Sequence, residues 1–338
     1  MSKTLSHVLA EYTALGIRQQ LDYEKFYLYS IITHSTAIEG STVTEIENQL
    51  LFDEGITPNK PLAEQLMNLD LKAAYEKGFS LAASHTEITV DLLCSLSAIV
   101  MKNTGSEYNT IAGSFSSAKG ELRLLNVSAG RGGKSYLAWQ KVQSHLENFC
   151  KWLNENRKSV DKNNSEELYK FSFLAHYKLV EIHPWADGNG RMSRLLMNMI
   201  QYEFGLVPSI VKKESRAEYI KSLAESQDAD DASSFLNFMI SHHKSNIEEQ
   251  IQQYKDSLSD TVKGGQKDKG GQKKWSETAV KLYELIKDNP SATRKELSEE
   301  LNINPSAVQK HIEKLKEHGI IEREGSDKKG FWKIIGEL

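Results

Sequence analysis

Apolar positions recur at helical spacing along most of the chain. Leu168, Phe171, Leu174, Ala175 and Val180 share one face of a 3.6-residue repeat, and Met192, Leu195, Leu196, Met199 and Ile200 share another. These stretches predict two amphipathic helices with a short polar connection. Period-two alternation is sparse. Glu121-Leu-Arg-Leu-Leu-Asn-Val127, the glycine-rich Gly130-Arg-Gly-Gly133 and Ser135-Tyr-Leu137 together predict a hairpin. Only six prolines in 338 residues leave the helical reading largely uninterrupted, and the fold class is mainly α.

Between Lys255 and Lys274 the pattern turns polar, and Gly264-Gly-Gln-Lys267 repeats as Gly270-Gly-Gln-Lys273. Paired glycines among Lys and Asp predict a flexible linker over 255–274, separating a domain at 1–254 from one at 275–338. The second domain has its own pattern. Ser276 can cap a helix carrying Val280, Tyr283, Leu285 and Ile286, and Thr293 precedes a short helix through Leu297 and Leu301. Pro305 opens a third helix with Val308, Ile312 and Leu315, ended by Gly319. Ile320 to Glu324 and Phe331 to Ile335 then flank a turn-rich stretch. Three helices and a terminal hairpin predict a winged helix-turn-helix.

Composition narrows the classes. Hydrophobic residues make up 39% and charged residues 26%, enough apolar material for a sizeable core. Lys plus Arg number 42 against 46 Asp plus Glu, a net charge of −4, which excludes a chain-wide basic surface. Cys94 and Cys150 cannot form a disulfide framework, and reduced thiols suit the cytosol. No signal peptide or membrane-length apolar run is read, so a cytoplasmic protein with no membrane partner is expected.

The densest chemistry lies between the two helices, in His183-Pro-Trp-Ala-Asp-Gly-Asn-Gly-Arg-Met-Ser-Arg194. His183 precedes proline, so the first helix should end there. Gly188 and Gly190 permit a tight turn whose N–H groups form an anion nest at the start of the second helix. Asp187 places a hard carboxylate beside it, suited to a Mg²⁺ carried by phosphate. Arg191 and Arg194 fall in the first turns, where the helix dipole disfavours cations, so an anion such as a polyphosphate is expected to offset them. His183 would then stand ready as a general base for an incoming hydroxyl. Taken singly, these residues also suit an ordinary αα turn, solvated arginines and a helix-end histidine.

This stretch resembles the Fic motif, His-Pro-Phe-x-Asp/Glu-Gly-Asn-Gly-Arg-x-x-Arg, and matches every chemically active position. Trp185 replaces the phenylalanine, a change of packing. The resemblance extends over about residues 25 to 245 and implies a Fic-type helical bundle with a small β-hairpin flap. It implies protein adenylyltransferase activity, the transfer of AMP from ATP to a Ser, Thr or Tyr hydroxyl of a target protein. By resemblance His183 is the base and Asp187 holds Mg²⁺. Asn189 with the backbone at Gly188 and Gly190 cradles phosphates, and Arg191 and Arg194 bind the β and γ phosphates. Gly120-Glu-Leu-Arg123 through Tyr136 resembles the flap that docks the target by strand addition, with Gly120 and Arg123 as its marks. Tyr219 matches a position that packs on adenine, although core packing accounts for it equally. Ser35-Thr-Ala-Ile-Glu39-Gly40 resembles the inhibitory helix of self-regulated members, near 31–40. Glu39 would pair with Arg194 through two parallel hydrogen bonds and take the γ-phosphate's place, with Ser35 as the motif's first residue.

Two look-alikes fail. Gly133-Lys134-Ser135 needs a glycine at 128 to be a P-loop, and Ser128 stands there. Gly188-Asn-Gly190 lacks the third glycine of a dinucleotide fingerprint and follows a helix.

Other functions compete with AMP transfer. From Lys273 to Leu338, 13 Lys plus Arg stand against 12 Asp plus Glu, a net of +1. Lys310, His311, Lys314 and Lys316 on the third helix can reach DNA phosphates, but Glu313 and Glu317 share it, so DNA and protein are both open as its partner. The chain could then be a DNA-binding transcriptional regulator with a Fic sensor. The same site could also carry out phosphoryl transfer or AMP removal. The target protein, self-modification and a homodimer are left open.

Overall fold

Ten helices and a hairpin precede three further helices and a second hairpin in the computed structural model, which describes residues 3–19, 23–129, 134–263, 277–301, 303, 305–325 and 330–336. The chain divides into two compact units, Met1–Ile251 and Gln252–Leu338. The first holds α1 (Leu5–Ala14), α2 (Tyr23–Ile38), α3 (Glu45–Glu54), α4 (Leu62–Ala83), α5 (Val90–Val100), β1 (Glu107–Thr110) and β2 (Gly113–Ser116). There follow α6 (Trp139–Ser159), α7 (Ser165–Ile182), α8 (Asn189–Glu203), α9 (Arg216–Ala229) and α10 (Ser233–Lys263), whose last residues enter the second unit.

α7 and α8 are the predicted helix pair, but α8 is more than amphipathic. Besides the expected Met192, Leu195, Leu196, Met199 and Ile200, it buries Met197, Asn198 and Gln201. A helix covered on nearly all sides is the centre of its domain, and α8 packs chiefly on α7 and α4. Each fully buried Leu or Met contributes on the order of 1.5–3 kcal/mol. Its buried amide nitrogens find partners: Asn198 Nδ2 donates to Tyr75 Oη (3.0 Å), and Gln201 Nε2 donates to Ser172 Oγ (2.9 Å) and Ser209 Oγ (3.0 Å). Tyr169, Phe173 and Tyr177 of α7 join Met197, Tyr219, Phe235 and Met239 in the core.

α2 is fastened to its neighbours by polar groups. Thr36 Oγ1 donates to Asn68 Oδ1 of α4 (2.8 Å), and Asn48 Nδ2 of α3 donates to Asn68 Oδ1 (2.9 Å) and Thr33 Oγ1 (2.8 Å). Thr36, Asn48 and Asn68 are all fully buried. Loss of one member would strand the others at about 1–3 kcal/mol.

The second unit contains α11 (Glu277–Asp288), α12 (Arg294–Leu301), α13 (Pro305–Glu317), β3 (Ile321–Glu324) and β4 (Phe331–Ile334). Thr293 and Glu296 form a reciprocal capping box at α12, and Gly319 (φ +67°) follows the end of α13. β3 and β4 pair antiparallel, Glu322 opposite Lys333. The core gathers Leu282, Tyr283, Ile286, Leu297, Val308, Ile312, Leu315, Ile321 and Trp332. Val280, expected inside, is exposed, because Ala279 and Leu282 take the inward positions of α11.

Residues 255–263, expected as the start of the linker, continue α10 as helix. The rest of that stretch, the Gly-Gly-Gln-Lys repeat and Ser276 lie outside the described residues, as does the glycine-rich turn at 130–133. Among the described residues no helix is long and apolar enough to cross a membrane.

Candidate active site

The motif occupies the junction from α7 to α8. His183 caps α7 in the left-handed region (φ +50°, ψ 62°), its N–H donating to Leu179 O (3.1 Å). Proline at 184 ends the helix as expected, although the residue before it turns left-handed rather than extended. Gly188 (φ +82°) caps the start of α8, and a Cβ there would meet Met101 Sδ at 2.7 Å, so conformation and space both require glycine. At Gly190 space alone decides. A Cβ would lie 2.6 Å from Glu39 Oε1 and 3.1 Å from Arg194 Nη1. The Glu39 carboxylate therefore rests against the first turn of α8, where the helix presents unpaired N–H groups and partial positive charge.

Trp185 is wholly buried, and its Nε1 donates to Gly120 O (3.0 Å), so the larger ring is accommodated with its polar atom satisfied. Asn189 was expected to cradle phosphate directly. Its side chain is instead engaged within the loop: Trp185 N donates to Asn189 Oδ1 (3.1 Å), and Asn189 Nδ2 donates to Trp185 O (2.8 Å). It shapes the nest rather than lining it.

Asp187 Oδ1 accepts from Gly188 N (2.6 Å), and the carboxylate is 57% exposed. Arg191 Nη2 stands 3.6 Å from Asp187 Oδ1 and donates to Met101 Sδ (3.0 Å), but its Nε and Nη1 are buried without any partner. Burial pulls its pKa down, against the nearby Asp187 charge. Arg194 is fully engaged. Nε donates to Ser35 Oγ (2.8 Å), and Nη2 donates to Ser35 O (3.0 Å) and Glu39 Oε1 (2.6 Å). The expected fork around Glu39 is thus replaced by one short bond to the carboxylate and two to Ser35, because the arginine spans the last turn of α2. Burial opposes the Glu39 charge, but bonded Arg194 prevails and holds the carboxyl below its usual range.

The end of α2 carries tethers that no sequence pattern marks. Arg216 Nε donates to Ile38 O (2.7 Å), and Lys213 N donates to His34 Nδ1 (3.2 Å).

The flap differs from expectation. Residues 121–127 form no strand; among the described residues of the segment Ser128 and Ser135 bridge, with Ala129 N donating to Lys134 O (3.0 Å) and Tyr136 N to Val127 O (3.0 Å). The hairpin nearby is β1–β2, with Tyr108 stacked on Phe115 across the strands (4.8 Å, 8°). Arg123, expected at a docking surface, is 1% exposed. It donates to His183 O (Nε, 2.7 Å), Leu125 O (Nη1, 2.8 Å) and Leu137 O (Nη2), holding the segment by carbonyls in place of a ladder. Gly120 is a packing point: a Cβ would meet Cys94 O of α5 at 2.0 Å. Neither residue faces a target. Tyr219 is also interior, 1% exposed, its hydroxyl 2.8 Å from His176 Nε2, so the core reading holds and no ring face is offered to adenine.

Burial pushes His183 down to about 4, with the Val180 carbonyl and Glu39 opposing and Arg123 adding to the shift. The imidazole is therefore neutral at pH 7, as a proton acceptor must be. Together these groups are two buried arginines at a helix start, a neutral histidine beside them, and a carboxylate resting against the helix's first turn.

Residues 87–201 match the Fic/DOC family, and residues 276–322 match the family described as winged helix-turn-helix DNA-binding. The protein adenylyltransferase fic-1 of Caenorhabditis elegans is 28% identical over 246 residues, covering 72% of this chain and 44% of the relative. The chain thus spans less than half the length of the curated relatives it matches first. A Fic-domain signaling protein from Bacteroides thetaiotaomicron shares the fold at a TM-score of 0.62 and 19% identity, over 75% of this chain and 98% of that one. A Fic family protein from Desulfovibrio desulfuricans aligns over 100% of this chain and 98% of its own, at a TM-score of 0.56 and 19% identity. The match to the Fic/DOC family encloses the whole of the His183–Arg194 junction and the flap, and a match to the winged helix-turn-helix family follows in the second unit.

Proposed function

We propose that the chain is a protein adenylyltransferase, moving AMP from ATP to a Ser, Thr or Tyr hydroxyl of a target protein, and that Glu39 restrains it. The observation that carries this reading is Arg191. A guanidinium buried with two nitrogens unpartnered is costly unless an anion completes it, and it stands at a helix start beside a carboxylate already seated as an anion. The relatives named protein adenylyltransferases point the same way.

In this reading the first turn of α8 and the two arginines take the phosphate chain of ATP. His183 accepts the target hydroxyl's proton as its oxygen bonds to the α-phosphorus. The bond from that phosphorus to the bridging oxygen breaks, and pyrophosphate leaves with its charge on Arg191 and Arg194. Asp187 is the residue that would hold Mg²⁺, which when bound neutralises phosphate charge. One outward carboxylate suits an ion that arrives with the nucleotide, and among the described residues no group of three or more His, Cys, Asp or Glu forms a separate cage.

Labelling the purified protein with α- or γ-labelled ATP tests the reaction. Label from the α position alone is expected in the Glu39→Gly variant. Label retained from the γ position would replace AMP transfer with phosphoryl transfer.

The match of residues 276–322 to a DNA-binding family favours a second role for the other unit, recognition through α13 with Lys310, Lys314 and Lys316. Duplex DNA titrated into the full chain should bind with an affinity that falls steeply with salt. No binding at low salt would leave protein docking.

A further inference from the structure

Tyr136 lies flat on the imidazole of His183, with ring centroids 3.8 Å apart and planes 18° from parallel. Two tethers fix it. Its N–H donates to Val127 O (3.0 Å), and the next carbonyl, Leu137 O, accepts from Arg123 Nη2. The same guanidinium holds the other ring's backbone, since Arg123 Nε donates to His183 O (2.7 Å), while Arg123 N donates to Pro184 O (3.0 Å). Arg123 can be buried there because the carbonyls of Ile182 and His183 lie at the C-terminal end of α7, where the helix dipole is negative. One buried side chain therefore sets the spacing of both rings.

His183 needs such support. A left-handed conformation at a residue other than glycine costs on the order of 1 kcal/mol or more and persists only where its surroundings impose it. An imidazole free on one side would also sample several side-chain rotamers, of which one aims its nitrogen at a hydroxyl.

We propose that Tyr136 is a positioning residue for His183, its ring fixing the imidazole plane from a flap that Arg123 holds in register. This rests on the reading of His183 as the general base. The contact is ring to ring, so the phenol oxygen is not required. Tyr136 takes no proton and touches no phosphate.

The test compares Tyr136→Ala and Tyr136→Phe, each in the Glu39→Gly protein. Tyr136→Ala should lower kcat for AMP transfer about tenfold and leave KM for ATP unchanged, and Tyr136→Phe should keep the parent rate. A second readout does not depend on activity: the titration of the His183 ring followed by NMR. Of the other groups acting on that ring, Arg123 and the Val180 carbonyl are present in all three proteins and Glu39 is absent from all three. The midpoint should rise toward the usual 6.5 in Tyr136→Ala, as the ring is uncovered, and stay low in Tyr136→Phe. A faster Ala variant would make Tyr136 a cover to be moved aside, and loss by Phe equal to Ala would assign the work to the hydroxyl; either overturns the proposal. If the Glu39→Gly protein incorporates no AMP, the proposed function fails, and the titration alone decides the clamp. An unchanged midpoint in Tyr136→Ala then overturns it.

Discussion

Arg191 and Arg194 leave adjacent turns of α8 and are equally buried, at 3% exposure, yet their surroundings are opposite. Arg194 spends its Nε and Nη2 on Ser35 and Glu39, whereas Arg191 keeps two nitrogens empty and has only a thioether and a distant carboxylate. The difference teaches what the nest is for. A buried charge with partners inside the chain is part of the fold, while one without them is held in readiness for something outside it. Arg191 is the group that the phosphate chain meets in the proposed reaction, and Arg194 is the one that a residue of the protein already holds.

The contrast is broken most severely at Arg191. Arg191→Ala should lower ATP affinity by about 10²-fold, because charge-assisted bonds contribute roughly 1.5–3 kcal/mol each. Calorimetry with Mg²⁺ and with EDTA should register the loss in both. Asp187→Ala run alongside should lose only the metal-dependent part, and an unchanged metal dependence would make that carboxylate structural.

Stability should move the other way. Removing Arg191 deletes a buried charge whose paired carboxylate, Asp187, is 3.6 Å away and 57% exposed, so its alanine variant is expected to unfold at the parent's denaturant midpoint or above it. Arg194→Ala strands Glu39 and Ser35 and should cost about 1–3 kcal/mol, less than the roughly 3–5 kcal/mol of a fully buried pair because Glu39 is one-third exposed. Equal destabilisation by both variants would erase the distinction.

Glu39→Gly leaves Arg194 free to turn to phosphate. AMP incorporation should rise about tenfold or more, the loss of a competition of about 1.4 kcal/mol. Arg194→Ala and the double variant should show no such gain. Parent and Glu39→Gly labelling equally, in a protein shown to be active, would return Glu39 to an ordinary helix-end residue.

The smallest effect concerns pH. Burial holds His183 at about 4 and His243 at about 3, below the usual 6.5. The unfolded chain therefore binds protons first as pH falls below about 6.5, and stability should decline on acidification from there. Glu39 is shifted in the same direction, but here the charge and bond of Arg194 outweigh burial. Its carboxyl is lowered, so its stabilisation is complete above the unfolded value of 4.5 and disappears as pH falls through the lower folded one. Urea midpoints of the parent and Glu39→Gln should run parallel from pH 6.5 to 5 and converge below 4.5.

How much of this the chain discloses depends on the range of the forces involved. The His183–Arg194 junction was legible because every residue in it sits within one helix end, one turn and one helix start, where local backbone rules govern. The Glu39–Arg194 pair spans 155 residues and was legible only through resemblance to a known motif. The flap misled. Leucines at 122, 124 and 125 suggested alternation, but the segment is held by Arg123 reaching across to carbonyls, which has no periodic signature. Conversely, Glu-Tyr-Asn-Thr and Gly-Ser-Phe-Ser are too polar to stand out as strands, and one Tyr108–Phe115 stack aligns them. Asn48, Asn68 and Thr36 gave no signal either, since a buried amide network resembles a solvated surface until its partners are known.

That network bears on how the restraint behaves in time. The body of α2 is pinned through Thr33 and Thr36, so Glu39 has only the freedom of a helix end, one turn followed by Gly40 at φ +103°. Excursions of chain ends and loops occupy roughly nanoseconds to microseconds, while enzyme turnover commonly takes about a millisecond to a second. In the proposed reaction the carboxylate would then visit and leave Arg194 many times between two catalytic events. Restraint in such a site is a time-averaged occupancy, graded like a dimmer, and anything that grips the end of α2 moves it by degrees rather than throwing a switch.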